Sequence, residues 1–356
     1  MQTHKHLIDL NDFPVNEWQE IIDLALKIEQ RPADYFGAMS GRILATLFYE
    51  PSTRTQMSFQ TAMLRLGGQI IGFDNPQTSS VAKGENLKDT IRIVSGYADI
   101  VAMRHPLEGS AKAAAYFSSS PIINAGDGGH LHPTQTLTDL VTLARETGQL
   151  SGLTIGICGD LKYGRTVHSL IKALCRFGNS FVLISTPELA VPYYLKDCMD
   201  ASGCSYTEVN SLQEAMPMLD VLYMTRIQRE RFGSEAEYAR QKNVYVLDKP
   251  KLAEAKKGLR ILHPLPRVDE ITAEVDSDPR AVYFKQAQYG VYARMALILH
   301  MLQSQNSISL FSSSESRISK CTNPRCITNT EGDLPKHFHK SGDLLVCEYC
   351  DERILV

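Results

Sequence analysis

Short apolar runs alternate with longer amphipathic stretches along most of this chain. The runs Ile43–Phe48, Ile70–Phe73, Ile100–Met103, Ile122–Asn124, Thr154–Cys158, Phe181–Ile184, Val221–Met224, Val244–Leu247 and Ile261–Leu262 have strand length and lie between stretches of helical pattern. After Ser52, the residues Phe59, Ala62, Met63 and Leu66 fall at i, i+3, i+4 and i+7, one face of a helix that Gly67 and Gly68 stop. Strand–helix alternation predicts parallel sheets covered by helices on both faces. The alternation has a seam: GQLSG at 148–152 precedes a fresh strand, so a second α/β lobe begins nearby. A helix-like run, Val291–Leu302, closes the regular part. The segment from Gln303 to Ser316 is Ser-rich and patternless, and reads as a linker. The last stretch, Arg317 to Val356, is too short to bury a core of its own and calls for a staple.

The length of 356 residues suits two large lobes plus this small module. A formal net charge of −3 offers no bulk attraction to nucleic acid or to anionic membranes, so any anion must be held by a local cluster of cations. No apolar run approaches the roughly 18 residues of a membrane span, and MQTHKHLIDLNDF lacks the basic-then-apolar layout of a signal peptide. A cytoplasmic protein without nucleic-acid or membrane partners is the expectation. Of the eight cysteines, Cys158, Cys175, Cys198 and Cys204 are scattered through the middle and read as buried or half-buried thiols. The other four crowd into the end of the chain.

The strongest local chemistry comes after the first strand. Glu50-Pro51-Ser52-Thr53-Arg54-Thr55 leads into the helix, where unpaired backbone N–H groups and the positive end of the dipole face outward. Hydroxyls and a guanidinium at that point suit a phosphate, although Ser and Thr are also ordinary N-caps. Further candidates cluster at predicted strand ends: Arg104 in MRHP, the Gly-rich turn Asn124–Gly128, His132 and Gln135. Ser80 and Lys83 sit on a loop. In the second lobe Arg165 opens a helix, Arg226 and Gln228 come after a strand, and His263-Pro264-Leu265-Pro266-Arg267 comes after another. Open α/β sheets bind ligands beyond the carboxyl ends of their strands. Each residue alone also reads as a solvated Arg or a satisfied His.

From about Leu7 to Leu302 the chain resembles the catalytic chain of the aspartate carbamoyltransferase family, on FYEPSTRTQMSFQTAMLRLGG, SVAKGENLKDTI, MRHP, INAGDGGHLHPTQTLTDL, YGRTVHSL, MTRIQRERF and HPLPRVDEI. The resemblance implies the transcarbamylase fold: two doubly wound parallel-sheet lobes plus a C-terminal zinc-binding β module. The carbamoyl-phosphate lobe spans 1–133 and is completed by a helix at 290–303. The aspartate lobe spans 134–289, the linker 304–318 and the zinc domain 319–356. By the same resemblance, Ser52, Thr53, Arg54, Thr55 and Arg104 bind the phosphate, and Ser80 and Lys83 enter from the neighbouring subunit of a trimer. Arg104, Thr55 and His132 hold the carbonyl oxygen. Gln135 and the carbonyls of Pro264 and Leu265 hold the carbamoyl nitrogen. Arg165, Arg226 and Gln228 bind the aspartate carboxylates, and Glu50 and Arg231 link the lobes on closure. Arg54, Thr55, Arg104 and His132 are thus the expected catalytic residues. Attack is direct, with no covalent intermediate, and the product N-carbamoyl-L-aspartate belongs to pyrimidine synthesis.

The related ornithine enzymes share the STRT loop but typically carry HCLP and an SMG segment. This chain has HPLP at 263–266 and no SMG, and its Arg165 and Arg226 suit an acceptor with a second carboxylate. Gln56 departs from the family, where a basic residue commonly succeeds the loop.

Cys321-x4-Cys326 and Cys347-x2-Cys350 have the spacing by which four thiolates converge on one tetrahedral ion. Zinc is the expected ion, with a rubredoxin-like iron site as the alternative. Four protein ligands leave no open position, so the site is structural and catalysis itself needs no cofactor. CTNPRCITNTE and LVCEYCDERI resemble the zinc domain of the family's regulatory chain, and the nucleotide-binding domain of that chain has no room here. The tail is expected to dock on a catalytic subunit and support assembly, as a trimer or as paired trimers. Between Arg317 and Arg353 six Lys or Arg balance six Asp or Glu, which argues against a nucleic-acid ribbon.

Overall fold

The computed structural model describes residues 5–227, 234–241, 244–303, 310–313 and 320–355. Contacts divide the chain into two units, Met1–Thr134 with Val291–Val356, and Gln135–Gly290.

The first unit is built on strands β1 (Ile43–Phe48), β2 (Gln69–Phe73), β3 (Ile100–His105) and β4 (Ile122–Asp127), all parallel and ordered β2-β1-β3-β4. The buried faces of β1, β3 and β4 explain their near-continuous apolar sequence. Helices α1 (Val15–Gln30), α2 (Thr53–Arg65), α3 (Leu87–Val94), α4 (Ser110–Phe117) and the start of α5 (Pro133–Thr147) belong to it. In α1 the stripe Trp18, Ile21, Ile22, Ala25 and Ile28 is buried, the helical period expected of a one-sided helix.

The second unit carries β5 (Thr154–Cys158), β6 (Ser180–Ile184), β7 (Tyr206–Val209), β8 (Val221–Met224) and β9 (Arg260–Leu262), parallel and ordered β7-β6-β5-β8-β9. Its helices are the body of α5, α6 (Arg165–Cys175), α7 (Tyr193–Ala201), the short α8 (Leu212–Ala215), α9 (Glu235–Gln241) and α10 (Lys249–Leu252), and the first part of α11 (Tyr283–Gln303). The two parallel sheets and their helices are the fold the sequence implied.

Three elements depart from the sequence reading. Val244–Leu247 is not a strand: among the described residues, Leu247 makes one isolated bridge to Ile271. The strand β7 has no apolar run to mark it, because Tyr206-Thr207-Glu208 is polar and partly exposed at the sheet edge. The closing helix begins earlier than Val291, at Tyr283.

The tail forms β10 (Phe338–Ser341), β11 (Leu344–Cys347) and β12 (Arg353–Leu355), an antiparallel meander. It groups with the first unit, and its buried Ile327, Leu334, Phe338 and Tyr349 share one apolar cluster with Ala111, Ala114 and Ala115 of α4. A helix of small residues, SAKAAAYF, can be covered closely on more than one side. The Ser-rich stretch before the module is only partly described: residues 304–309 and 314–319 lie outside the described residues. Between them, Phe311 stacks on His337 at 3.9 Å, and Ser312 and Ser313 donate N–H groups to Glu348. Among the described residues no helix is long and apolar enough to cross a membrane.

Candidate active site and metal centre

In the first sheet the chain runs from β1 outward to β2 and then crosses back to β3 on the other side of β1. Connections diverge at such a switch point, and a crevice opens beyond the strand ends. Ser52–Thr55 and Arg104 are both there, since Phe48 and Arg104 are register partners. Ser52 is the N-cap of α2, yet its side chain makes no capping bond. Its hydroxyl is left for something other than the helix, which separates this loop from an ordinary cap.

Arg104 reaches Glu50 at 2.7 Å, the Ala125 carbonyl at 3.4 Å and His132 Nε2 at 3.5 Å. Its buried Nε has no protein partner among the described residues. Burial holds Arg104 below the ordinary arginine pKa despite the Glu50 carboxylate, and burial with the neighbouring Arg104 charge does the same to Arg54. An anion at this helix terminus would relieve both penalties. His132 is buried immediately before α5.

Sequence reasoning passed over Asp127, which makes this corner rigid. Its buried carboxylate accepts N–H bonds from Gly109 at 2.8 Å and Leu131 at 3.0 Å, with Asn124 Nδ2 at 3.1 Å and His130 Nδ1 at 3.1 Å. The turn that delivers His132 is thus wound around one charge. The only signal for it in the sequence was an acid ending an apolar run before two glycines. Ser80 and Lys83 lie on an exposed turn and make no hydrogen bond to the Ser52–Thr55 loop among the described residues. Glu50 pairs with Arg104, while its expected partner Arg231 lies outside the described residues, as does Gln228.

The second sheet has its own switch point, between β5 and β8. Gly159 ends β5 with φ +119, and a Cβ there would stand 2.5 Å from the Thr225 carbonyl oxygen, so only glycine allows the approach. Asp160 N–H donates to Thr225 Oγ1 at 3.2 Å, tying the two strand ends together. Arg165 then opens α6 and Arg226 succeeds β8, both half-buried. Beyond β9, His263 accepts the Leu265 N–H on Nδ1 at 2.8 Å and donates through Nε2 to Glu270 at 2.7 Å. This holds Pro264 and Leu265, with Leu265 at φ +54, a conformation a leucine seldom adopts. Arg267 does not join the other cations: its guanidinium forms a two-pronged pair with Asp276.

Comparison with known proteins agrees with this layout. Residues 5–145 match the carbamoyl-P binding domain of aspartate/ornithine carbamoyltransferases, and 151–301 match their Asp/Orn binding domain. The aspartate carbamoyltransferase catalytic subunit of Clostridium perfringens (strain SM101 / Type A) is 58% identical over 304 residues, 85% of this chain and 99% of that one. The chain belongs to the aspartate carbamoyltransferase family. A second catalytic subunit of this family, from Clostridium acetobutylicum, is 59% identical over 300 residues, covering 84% of this chain and 98% of its own. Among solved structures, the catalytic subunit of M. jannaschii aspartate transcarbamoylase aligns with TM-score 0.79 at 48% identity, over 84% of this chain and 98% of that one. Aspartate transcarbamoylase from Trypanosoma cruzi, in complex with carbamoyl phosphate and aspartate, aligns with TM-score 0.78 at 36% identity, over 84% and 96%.

The tail has a different kinship. Residues 316–355 match the metal binding domain of the aspartate carbamoyltransferase regulatory chain. The sulfurs of Cys321, Cys326, Cys347 and Cys350 all lie within 4.8 Å of one another, with Cys321–Cys350 at 3.7 Å and Cys326–Cys347 at 3.9 Å. A tetrahedral ion with metal–sulfur bonds of about 2.3 Å puts sulfurs about 3.8 Å apart, whereas a disulfide needs about 2.05 Å. The four thiols fit a metal ion. Thr328 Oγ1 lies 3.1 Å from the Cys326 sulfur, placed to donate to a thiolate.

The module is bound to the first unit of its own chain. Glu108 N–H donates to the Arg325 carbonyl at 3.0 Å, and Ile327 N–H returns a bond to the Glu108 carbonyl at 2.9 Å. The Glu108 carboxylate accepts from Asn323 Nδ2 at 2.7 Å and from Gly129 N–H at 3.3 Å. Glu331 accepts the Leu87 N–H at the start of α3, and His130 bridges Asp127 and Asp351 at 3.1 Å each. Gly109, at φ +81, packs so closely on Tyr349 that a Cβ would lie 2.6 Å from the Tyr349 Cβ.

Proposed function

We propose that the protein transfers the carbamoyl group of carbamoyl phosphate to the amine of L-aspartate, giving N-carbamoyl-L-aspartate and phosphate, an early step of pyrimidine synthesis in the cytoplasm. The carrying observation is the cation pair Arg54 and Arg104 at an uncapped helix terminus on a switch point. Ser52, Thr53, Arg54, Thr55 and Arg104 bind the phosphate through the α2 N–H groups, hydroxyls and guanidiniums. Arg104, Thr55 and His132 face the carbonyl oxygen and stabilise the charge that develops there as the amine attacks. Gln135 and the carbonyls of Pro264 and Leu265 accept the carbamoyl N–H groups. Arg165, Arg226 and Gln228 pair with the two carboxylates of aspartate, and two-pronged pairing aims the amine. Phosphate leaves and takes the amine proton.

Ser80 and Lys83 serve the site of a neighbouring subunit in a homo-oligomer, a trimer or a pair of trimers. Their exposure and lack of bonds to the local phosphate loop support that reading. Zinc is the ion of the four-cysteine cluster, where it cross-links a module too small to hold itself.

Product formation with L-aspartate and with L-ornithine tests the proposal. Aspartate should be the substrate, and Arg54→Ala should lower kcat/KM for carbamoyl phosphate by about 10²–10³-fold. Equal turnover of ornithine, or an Arg54→Ala loss under about threefold, would overturn it.

A further inference from the structure

The second unit contains a buried carboxylate, Asp139, that no role above uses. Asp139, fully buried on α5, lies one turn after Gln135 on the same helix face. Its Oδ1 accepts from Gln135 Nε2 at 2.8 Å and from Gln286 Nε2 at 2.7 Å. Its Oδ2 accepts from the Tyr223 hydroxyl at 2.9 Å. Gln286, itself buried, passes the link on: its Oε1 accepts the His263 N–H at 2.9 Å. His263 in turn holds the Leu265 N–H.

A carboxylate can only accept, whereas an amide can present either end. The bond to Asp139 therefore commits the Gln135 nitrogen inward, which leaves Gln135 Oε1 as the outward end. Burial and the neighbouring Asp139 push the Tyr223 phenol well above its ordinary pKa, so Tyr223 stays a donor.

We propose that Asp139 is a positioning residue that makes the site selective for the amino group of carbamoyl phosphate. It turns Gln135 so that an acceptor faces the carbamoyl nitrogen. Through Gln286 and His263 it fixes the loop whose Pro264 and Leu265 carbonyls are acceptors for the same nitrogen. The inference rests on the reading that these three groups meet the carbamoyl NH2. An acyl phosphate with methyl in place of NH2, acetyl phosphate, would leave the acceptors unpaired and be disfavoured.

The test compares inhibition by acetyl phosphate with KM for carbamoyl phosphate in the full-length protein. Inorganic phosphate inhibition is the control, because it reads only the phosphate loop. Asp139→Leu should shrink the preference for carbamoyl over acetyl phosphate by about 10-fold or more, the scale of losing positioned hydrogen bonds. Phosphate inhibition should stay within about twofold. Asp139→Asn should keep most of the preference, because its carbonyl oxygen can still accept from both glutamines while its NH2 donates to Tyr223.

Gln135→Ala separates the two ways of failing. If it leaves the preference intact, the assignment of Gln135 to the carbamoyl group is wrong. If it collapses the preference and Asp139→Leu does not, the positioning role is wrong and the assignment stands. Should Asp139→Leu fail to fold, Gln286→Met removes the bridge between Asp139 and His263 and leaves the Gln135–Asp139 bond in place. It is expected to lower the preference about threefold, and an unchanged ratio overturns the proposal.

Discussion

The sheet units and the metal module are held together by opposite means. In β5, four of the five residues are buried, and the strand is flanked on both sides by parallel partners. In the module, β12 shows two of its three residues to solvent, and β10 buries only Phe338 well. The sheets rest on apolar area, so removing one polar partner leaves them standing. The module rests on four thiols and on what it borrows from α4, so its stability is conditional on a metal ion and on a neighbour.

The largest effect should come from taking the metal away. Chelation, or Cys347→Ser, removes a free energy on the order of 10 kcal/mol for a structural zinc site. Hydrogen exchange should show residues 320–355 losing protection while β1 and β5 keep theirs. Native mass in the same samples reads assembly. A mass above a trimer that falls back to one on metal loss would mean that the tail bridges trimers. Trimer mass in both would make it a brace within one chain, the role its bonds to the first unit favour. Equal loss of protection in all three regions would erase the contrast.

Acid should strike the first sheet by a different route. His105 is buried against Tyr49 and accepts the Leu107 N–H on Nδ1 at 3.0 Å, so it is neutral in the fold. Burial pushes its pKa down to about 4, against about 6.5 in an unfolded chain. The folded state binds fewer protons between those values, so this stabilisation is complete above pH 6.5 and is lost as the pH falls towards 4. At most about 3 kcal/mol is at stake. Urea midpoints read from β1–β3 probes should fall over that window, and His105→Gln should flatten the slope. An unchanged slope would remove His105 from the account.

The smallest effect should be Lys88→Ala. Asp333 of the module pairs with Lys88, but its side chain is 62% exposed, and solvent-screened pairs of this kind add little to stability. A larger shift in module protection would mean that docking depends on charge rather than on the α4 face.

Legibility in the sequence splits along the same line. β1, β5 and β8 were legible to the residue, because fully buried parallel strands leave uninterrupted apolar runs. The four cysteines were legible because ligand spacing is local. β7 was not, since an edge strand can be polar, and Val244–Leu247 misled because an apolar run need not join a sheet. Asp127, Glu108 and Asp139 were hidden for a deeper reason. A carboxylate that gathers donors from several segments has no sequence signature; its meaning lies in residues such as Gly109, Gly129 and Gln286 that arrive from elsewhere.

The first unit is discontinuous: it needs Met1–Thr134 and also Val291–Val356, with the whole of Gln135–Gly290 between them. On a ribosome, synthesis is vectorial and domains fold as units. The second unit is contiguous and can close as soon as it emerges. The first must wait, half made, until the last helix and the four-cysteine module have been translated. The chain therefore finishes its first unit last, and a ribosome that stops early releases the second unit without its companion.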